Sequence, residues 1–134
     1  MKFFIDTNVL ISSALFPKGK TAFVFLHILE NHEIVISDYV IEECKEVFKR
    51  KFKDKLYLLE SFLNNIEYTK YSTPTIIDET IFPSIRDPKD LPILASAILS
   101  DSDILITGDK DFSTILIKRP LIFTPADYYE LLEK

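Results

Sequence analysis

Short apolar runs alternate with longer amphipathic ones along most of the chain, and several of the apolar runs stop abruptly at an acid. KFFI, residues 2–5, is extended and uninterrupted and ends at Asp6, the pattern of a short buried strand. Residues 8–16 read as a helix broken by PKGK, where Pro17 and Gly19 mark a turn. A second helix is predicted over residues 21–31, and the density of Phe23, Leu26, His27 and their aliphatic neighbours leaves only a narrow polar face, so this helix is expected to be well buried. EIVIS, residues 33–37, is the next strand, and Ser37 or Asp38 can cap the helix after it by accepting from a free amide. That helix carries Val40, Ile41, Cys44, Val47 and Phe48 at i, i+3, i+4, i+7 spacing, with Glu43 at the border of the stripe.

Further along, residues 54–64 read as a helix and 66–71 as a strand whose polar alternation suits a sheet edge. Residues 72–89 contain three prolines and read as a loop with one short turn. A helix over 90–100, the strand DILIT, the loop GDKDF, the strand PLIFT and a helix over 125–132 complete the chain. Alternation of this kind predicts an α/β fold with a mainly parallel sheet, because parallel neighbours need long crossovers and helices usually supply them. Sites in such sheets form at the carboxyl ends of the strands, near the point where strand order reverses. Asp6 and Asp109 both follow apolar strands, and adjacency of those strands would bring the two carboxylates within reach of one ion.

At 134 residues and 15.5 kDa, without repeats or a linker, a single domain over residues 1–134 is expected. Lys2 and the apolar residues after it resemble the start of a signal peptide, but Asp6 and Asn8 interrupt the stretch, and no run approaches the roughly 18 apolar residues of a membrane span. A cytoplasmic protein with no membrane partner is the expectation. The single cysteine, Cys44, leaves no internal disulfide and too few thiols for structural zinc, and reads as a small buried hydrophobe. With His27 and His32 the only histidines, a histidine-rich metal site is excluded, and a Ser-His-Asp triad would have to use one of them.

The net charge of −5 argues at first against a nucleic-acid partner, since Lys and Arg supply much of such affinity. Its distribution changes the picture. Of 21 acids, four stand apart by context: Asp6 and Asp109 after strands, Glu43 beside a core stripe, and Asp90 at the head of the almost uncharged LPILASAIL. Each has a plainer reading, and Asp90 has the strongest, as a helix cap ahead of Pro92. Several carboxylates crowded at one sheet edge repel one another unless a cation joins them. Mg²⁺ or Mn²⁺ suits an all-oxygen donor set, and such ions serve phosphodiester hydrolysis.

The segments FFIDTNVLISS, ISDYVIEECKEVF, RDPKDLPILASAI and DILITGDKDF, in that order, resemble the PIN domain family, in particular its toxin components of toxin–antitoxin systems, to which VapC-type toxins are related. The resemblance implies a three-layer α/β/α Rossmann-like fold around a mainly parallel sheet and a Mg²⁺- or Mn²⁺-dependent ribonuclease. It places the family's catalytic, metal-binding acids on Asp6, Glu43, Asp90 and Asp109, preferring Glu43 over Glu42 and Asp90 over Asp87. Asn8 and Thr107 match polar positions that orient the carboxylates, Asp87 becomes a loop acid beside the site, and Asp111 is either a ligand through water or a loop cap. The implied partners are an RNA substrate, a cognate antitoxin and a second copy in a homodimer.

The basic run KRKFKDK offers Lys49, Arg50, Lys51, Lys53 and Lys55 for phosphate contact, or else as cations solvating a helix end. Lys18, Lys20 and Lys110 are further candidates for holding RNA. Two rivals follow from the same residues. A phosphatase with an aspartyl nucleophile at Asp6 would want a second Asp where Asn8 stands, and a catalytically inert interaction module would keep the fold without the chemistry.

Overall fold

A computed structural model describes residues 1–133 of the chain. Five strands, β1 (Lys2–Ile5), β2 (Glu33–Ser37), β3 (Thr69–Tyr71), β4 (Ile104–Ile106) and β5 (Leu121–Phe123), form one sheet in the order β3-β2-β1-β4-β5. Every pairing is parallel. Six helices accompany the sheet: α1 (Thr7–Leu15), α2 (Lys20–Asn31), α3 (Asp38–Lys51), α4 (Leu56–Asn64), α5 (Leu91–Leu99) and α6 (Pro125–Leu132). The α/β class, the parallel sheet and the alternation of elements are as expected.

Phe3, Phe4 and Ile5 are buried in succession, as are Ile34, Val35 and Ile36 on β2 and Ile104, Leu105 and Ile106 on β4. Successive strand residues point to opposite faces, so both faces of the central strands are covered, which is why these strands read as unbroken apolar runs. The register pairs Ile5 with Ile106, so β1 and β4 end side by side. The chain leaves β1 in one direction along the sheet and β4 in the other, which makes the crevice between their carboxyl ends the switch point of the sheet.

Local capping follows the sequence closely. Ser37 Oγ accepts from the Val40 amide at 3.2 Å and starts α3 as expected. The edge strand β3 is shorter than its predicted span, and residues 72–89 hold two single 3-10 turns, Glu79–Ile81 and the first part of Pro88–Asp90. The expectation for α2 needs correction: Val24, Phe25 and Ile28 are buried, whereas Phe23 and Leu26 are 54% and 51% exposed. This helix packs by one face on α1 and α6, and Phe23, though largely exposed, sets its ring edge-on to that of Tyr129 on α6 at 5.9 Å between centroids. Among the described residues, no single helix is long and apolar enough to cross a membrane.

Candidate active site

Asp6 follows β1 directly and caps α1. Its backbone is extended, at φ −77° and ψ 159°, and its amide donates to the Ile106 carbonyl at 3.0 Å, continuing the β1–β4 ladder by one rung. Its Oδ1 accepts from the Thr7 amide at 2.6 Å. Its Oδ2 accepts from the Thr107 hydroxyl, also at 2.6 Å. Thr107, on the residue after β4, is itself buried and accepts from the Asp109 amide at 3.0 Å. Asp109 then caps the turn Lys110–Phe112 by accepting from the Asp111 amide at 2.9 Å.

α3 brings Glu43 to the same place. The Thr7 hydroxyl donates to Glu43 Oε1 in a short hydrogen bond, and fully buried Cys44 lets α3 approach α1 closely enough for its thiol to donate to the Thr7 carbonyl at 3.8 Å. Burial first, then Glu43 and Asp6, push the Cys44 thiol well above its ordinary value, so it is an inert packing group. Glu42, one residue earlier, is largely exposed and pairs with Lys45 at 3.6 Å.

Asp90 stands at the entry to α5 but caps nothing: Asp87 accepts from the Lys89 amide and starts the turn, while the Asp90 side chain makes no capping bond. The plainer reading of Asp90 as a helix cap is therefore set aside. Its Oδ2 is buried without a hydrogen-bond partner.

Together Asp6, Glu43, Asp90 and Asp109 line one cavity of about 430 Å³ at the switch point. Asn8, Tyr39, Lys89 and Arg50 are also in its wall. Asn8 is exposed at the rim, and it is Thr7, which the sequence reading passed over, that touches a carboxylate. One oxygen each of Asp87, Asp90 and Asp111 lies within 4.8 Å of the others, so Asp90 joins the cavity acids to a second acidic group. Asp111 also faces Arg86 at 3.8 Å. Of the basic run, Arg50 alone lines the cavity, and Lys49, Lys51 and Lys53 are exposed along the end of α3 and beyond it. Lys20 is turned elsewhere, with its Nζ 4.3 Å from the Tyr129 ring centroid. His27 bonds Tyr128 and His32 stacks on Phe3, so neither histidine serves the acids.

The electrostatics are those of an under-neutralised acidic cluster. Burial pushes the Asp6 carboxyl up to about 6, against the pull of the hydrogen bonds from Thr107 and Thr7 and with the help of Glu43 and Asp109. Asp90 is pushed up to about 7, by burial first and then by Asp109, Asp87 and Asp6. Asp6 and Asp90 resist ionisation, and Asp90 keeps one oxygen inaccessible and unpartnered, so these carboxyls belong to a donor set that a hard divalent cation fits.

A family model described as the PIN domain matches residues 2–111. No curated protein matches the chain. Among solved structures, a chain of VapBC2 from Rickettsia felis, crystallised with a DNA fragment from their promoter, superposes with a TM-score of 0.68 at 19% identity, over 92% of this chain and 98% of that one. A domain of a functionally unknown protein from Methanocaldococcus jannaschii superposes with a TM-score of 0.51, also at 19% identity, over 92% and 89% of the two chains. Both likenesses are of fold.

Proposed function

Because the chain belongs to the PIN domain family, we propose that it is a metal-dependent ribonuclease that hydrolyses RNA phosphodiester bonds, acting as the toxin of a toxin–antitoxin pair. The convergence of Asp6, Glu43, Asp90 and Asp109, from four separate segments, on one cavity at the switch point supports this reading. The pairing with an antitoxin draws on the fold shared with VapBC2.

Asp6, Asp90 and Asp109 would hold Mg²⁺ or Mn²⁺, with Glu43 joining them or positioning water. A cation so bound supplies polarisation of a phosphoryl oxygen and a lowered pKa for a bound water. The chain's own groups do the rest. Thr107 fixes Asp6 Oδ2 and thereby aims the carboxylate across the crevice, and Thr7 fixes Glu43 in the same way. Arg50 and Lys89, on the cavity wall, offset the negative charge of an entering phosphodiester, and Lys49, Lys51 and Lys53 extend that field along the end of α3. In-line attack by water then leaves a 5′-phosphate and a 3′-hydroxyl end. An aspartyl-nucleophile mechanism fits less well, since both Asp6 oxygens already accept hydrogen bonds and Asn8 stands where a second acid would be needed.

The test is sequencing of RNA 5′ ends after incubating cellular RNA with Mn²⁺ and either the wild-type chain or Asp6→Asn. New 5′-phosphate ends with the wild type alone are expected. RNA ends that the wild type leaves unchanged would overturn the proposal.

A further inference from the structure

A second cavity, of about 540 Å³, adjoins the acidic one and falls in the size range of roughly 300–1,000 Å³ typical of small-ligand sites. Its walls include Tyr39, Glu42, Thr73, Pro74, Ile77 and Pro92. Tyr39 and Glu42 line both cavities, so the groove and the acidic site share a wall. Tyr39 is half-buried and its hydroxyl donates to the Lys89 carbonyl at 3.2 Å, which holds the ring as the partition between the two spaces. The Asp38 carboxylate accepts from the amides of both Tyr39 and Thr73, at 2.8 and 2.9 Å, and ties the facing walls together.

The charge pattern divides the two spaces by chemistry. Arg50 and Lys89 line the acidic cavity, whereas the groove contains no cation and carries the carboxylates of Asp38 and Glu42. With a cation held by its acids the first side would draw a phosphate, whereas nothing in the wall of the second offsets a phosphate's charge. What the groove offers is an aromatic ring, two prolines and an isoleucine as apolar surface, with carboxylate and hydroxyl oxygens that accept hydrogen bonds. An unpaired base stacks on surfaces of this kind and presents exocyclic amino groups to acceptors.

We infer that the groove between Tyr39 and Pro92 is a subsite for one unpaired nucleobase next to the scissile phosphodiester, selecting adenine, cytosine or guanine over uracil. The inference rests on the ribonuclease reading of the adjoining site and names its substrate as single-stranded. Glu42, exposed and only loosely paired with Lys45, is the acceptor free to meet an amino group.

The experiment measures fluorescence anisotropy of end-labelled single-stranded RNA octamers with Mn²⁺, using Asp6→Asn as the non-cleaving background. Adding Tyr39→Ala should weaken binding of adenosine or cytidine octamers about tenfold, while Tyr39→Phe retains it. A uridine octamer should bind more weakly and lose less. A role of Tyr39 confined to holding the turn at Lys89 would instead weaken all octamers alike. Ile77→Glu, elsewhere in the groove's wall, should reproduce the base-dependent loss without altering Tyr39 itself. Affinities unchanged in Tyr39→Ala and Ile77→Glu, or losses equal for every base, overturn the subsite even where the wild type cleaves RNA. Base-dependent binding that needs Tyr39, in a wild type that cleaves nothing, would uphold the subsite and overturn the ribonuclease reading.

Discussion

The Thr107 hydroxyl donates to Asp6 Oδ2 at 2.6 Å and its oxygen accepts from the Asp109 amide at 3.0 Å. One buried side chain thus couples the acids that follow two neighbouring strands, and it favours the ionised form of Asp6 against the desolvation that opposes it. Thr107→Val keeps the shape and removes the donor. At pH 8, where Asp6 is charged, the loss should cost about 1.5–3 kcal/mol of stability, as expected for a hydrogen bond to a charged group. At pH 5, where Asp6 is largely protonated, the cost should be smaller. Urea melts at the two pH values check this, and RNA cleavage by the variant should fall about tenfold with its acid limb moved to higher pH, since the loss raises the Asp6 pKa further.

The raised carboxyls also set the sign of the pH dependence in the metal-free protein. Asp6 goes from 3.8 to about 6 and Asp90 from 3.8 to about 7 on folding, so between these values the native state binds more protons than the unfolded one. Stability from these groups is complete below about pH 4 and is lost as the pH rises through 6 and 7. For deeply buried Asp6 the shift corresponds to roughly 3 kcal/mol. Asp6→Asn should abolish cleavage and yet stabilise the metal-free chain at pH 8, while changing little at pH 4. Denaturant titrations with chelator present, run across this range, would refute the assignment by showing no such crossover.

The carboxyl edge was legible in the chain because strands buried on both faces read as unbroken apolar runs, so that KFFI and ILI announce where polarity resumes. Glu43 was legible from its position at the border of the Val40–Phe48 stripe. Other features depend on contacts that no local pattern records. The Thr7–Glu43 hydrogen bond joins residues 36 apart, although a hydroxyl directly after Asp6, on the first turn of α1, is a signal that could have pointed to it. The approach of Asp87 and Asp111 to Asp90 depends on how the proline-containing segment 72–89 folds back. Burial of α2 was over-read because apolar density reports composition, while the exposure of Phe23 and Leu26 is decided by which neighbour is there to cover them.

Asp90 should dominate the response to divalent cations, since among the described residues its Oδ2 is the buried side-chain oxygen without a partner. A ligand that binds only the native state stabilises by mass action, about 2.7 kcal/mol at a hundred times its Kd. Mn²⁺ added at pH 8 should raise the melting temperature of the wild type and flatten the decline in stability between pH 4 and 7. The effect should be weaker at pH 5, where protons compete for the same carboxylates. Asp90→Asn should lose most of the Mn²⁺-dependent rise, and an undiminished rise in that variant, read by differential scanning calorimetry, would remove Asp90 from the ligand set.

Arg50 and the lysines around it make separable contributions to RNA affinity. Arg50 lines the cavity, whereas Lys49, Lys51 and Lys53 are exposed where α3 ends, a place in which cations also favour the helix terminus. A cation that neutralises a phosphate releases a counterion, so its loss shallows the dependence of log affinity on log salt by about 0.7 for single strands. Arg50→Gln should show this change, together with a larger loss of cleavage than any one of these lysine variants, because of the four only Arg50 lines the cavity. Lys49→Gln, Lys51→Gln and Lys53→Gln should shallow the slope only if the strand continues along the end of α3. Anisotropy titrations from 50 to 300 mM KCl on the Asp6→Asn background separate these outcomes. A slope left intact by all four substitutions would assign the basic run to the helix terminus and leave Lys89 as the phosphate contact in the cavity wall.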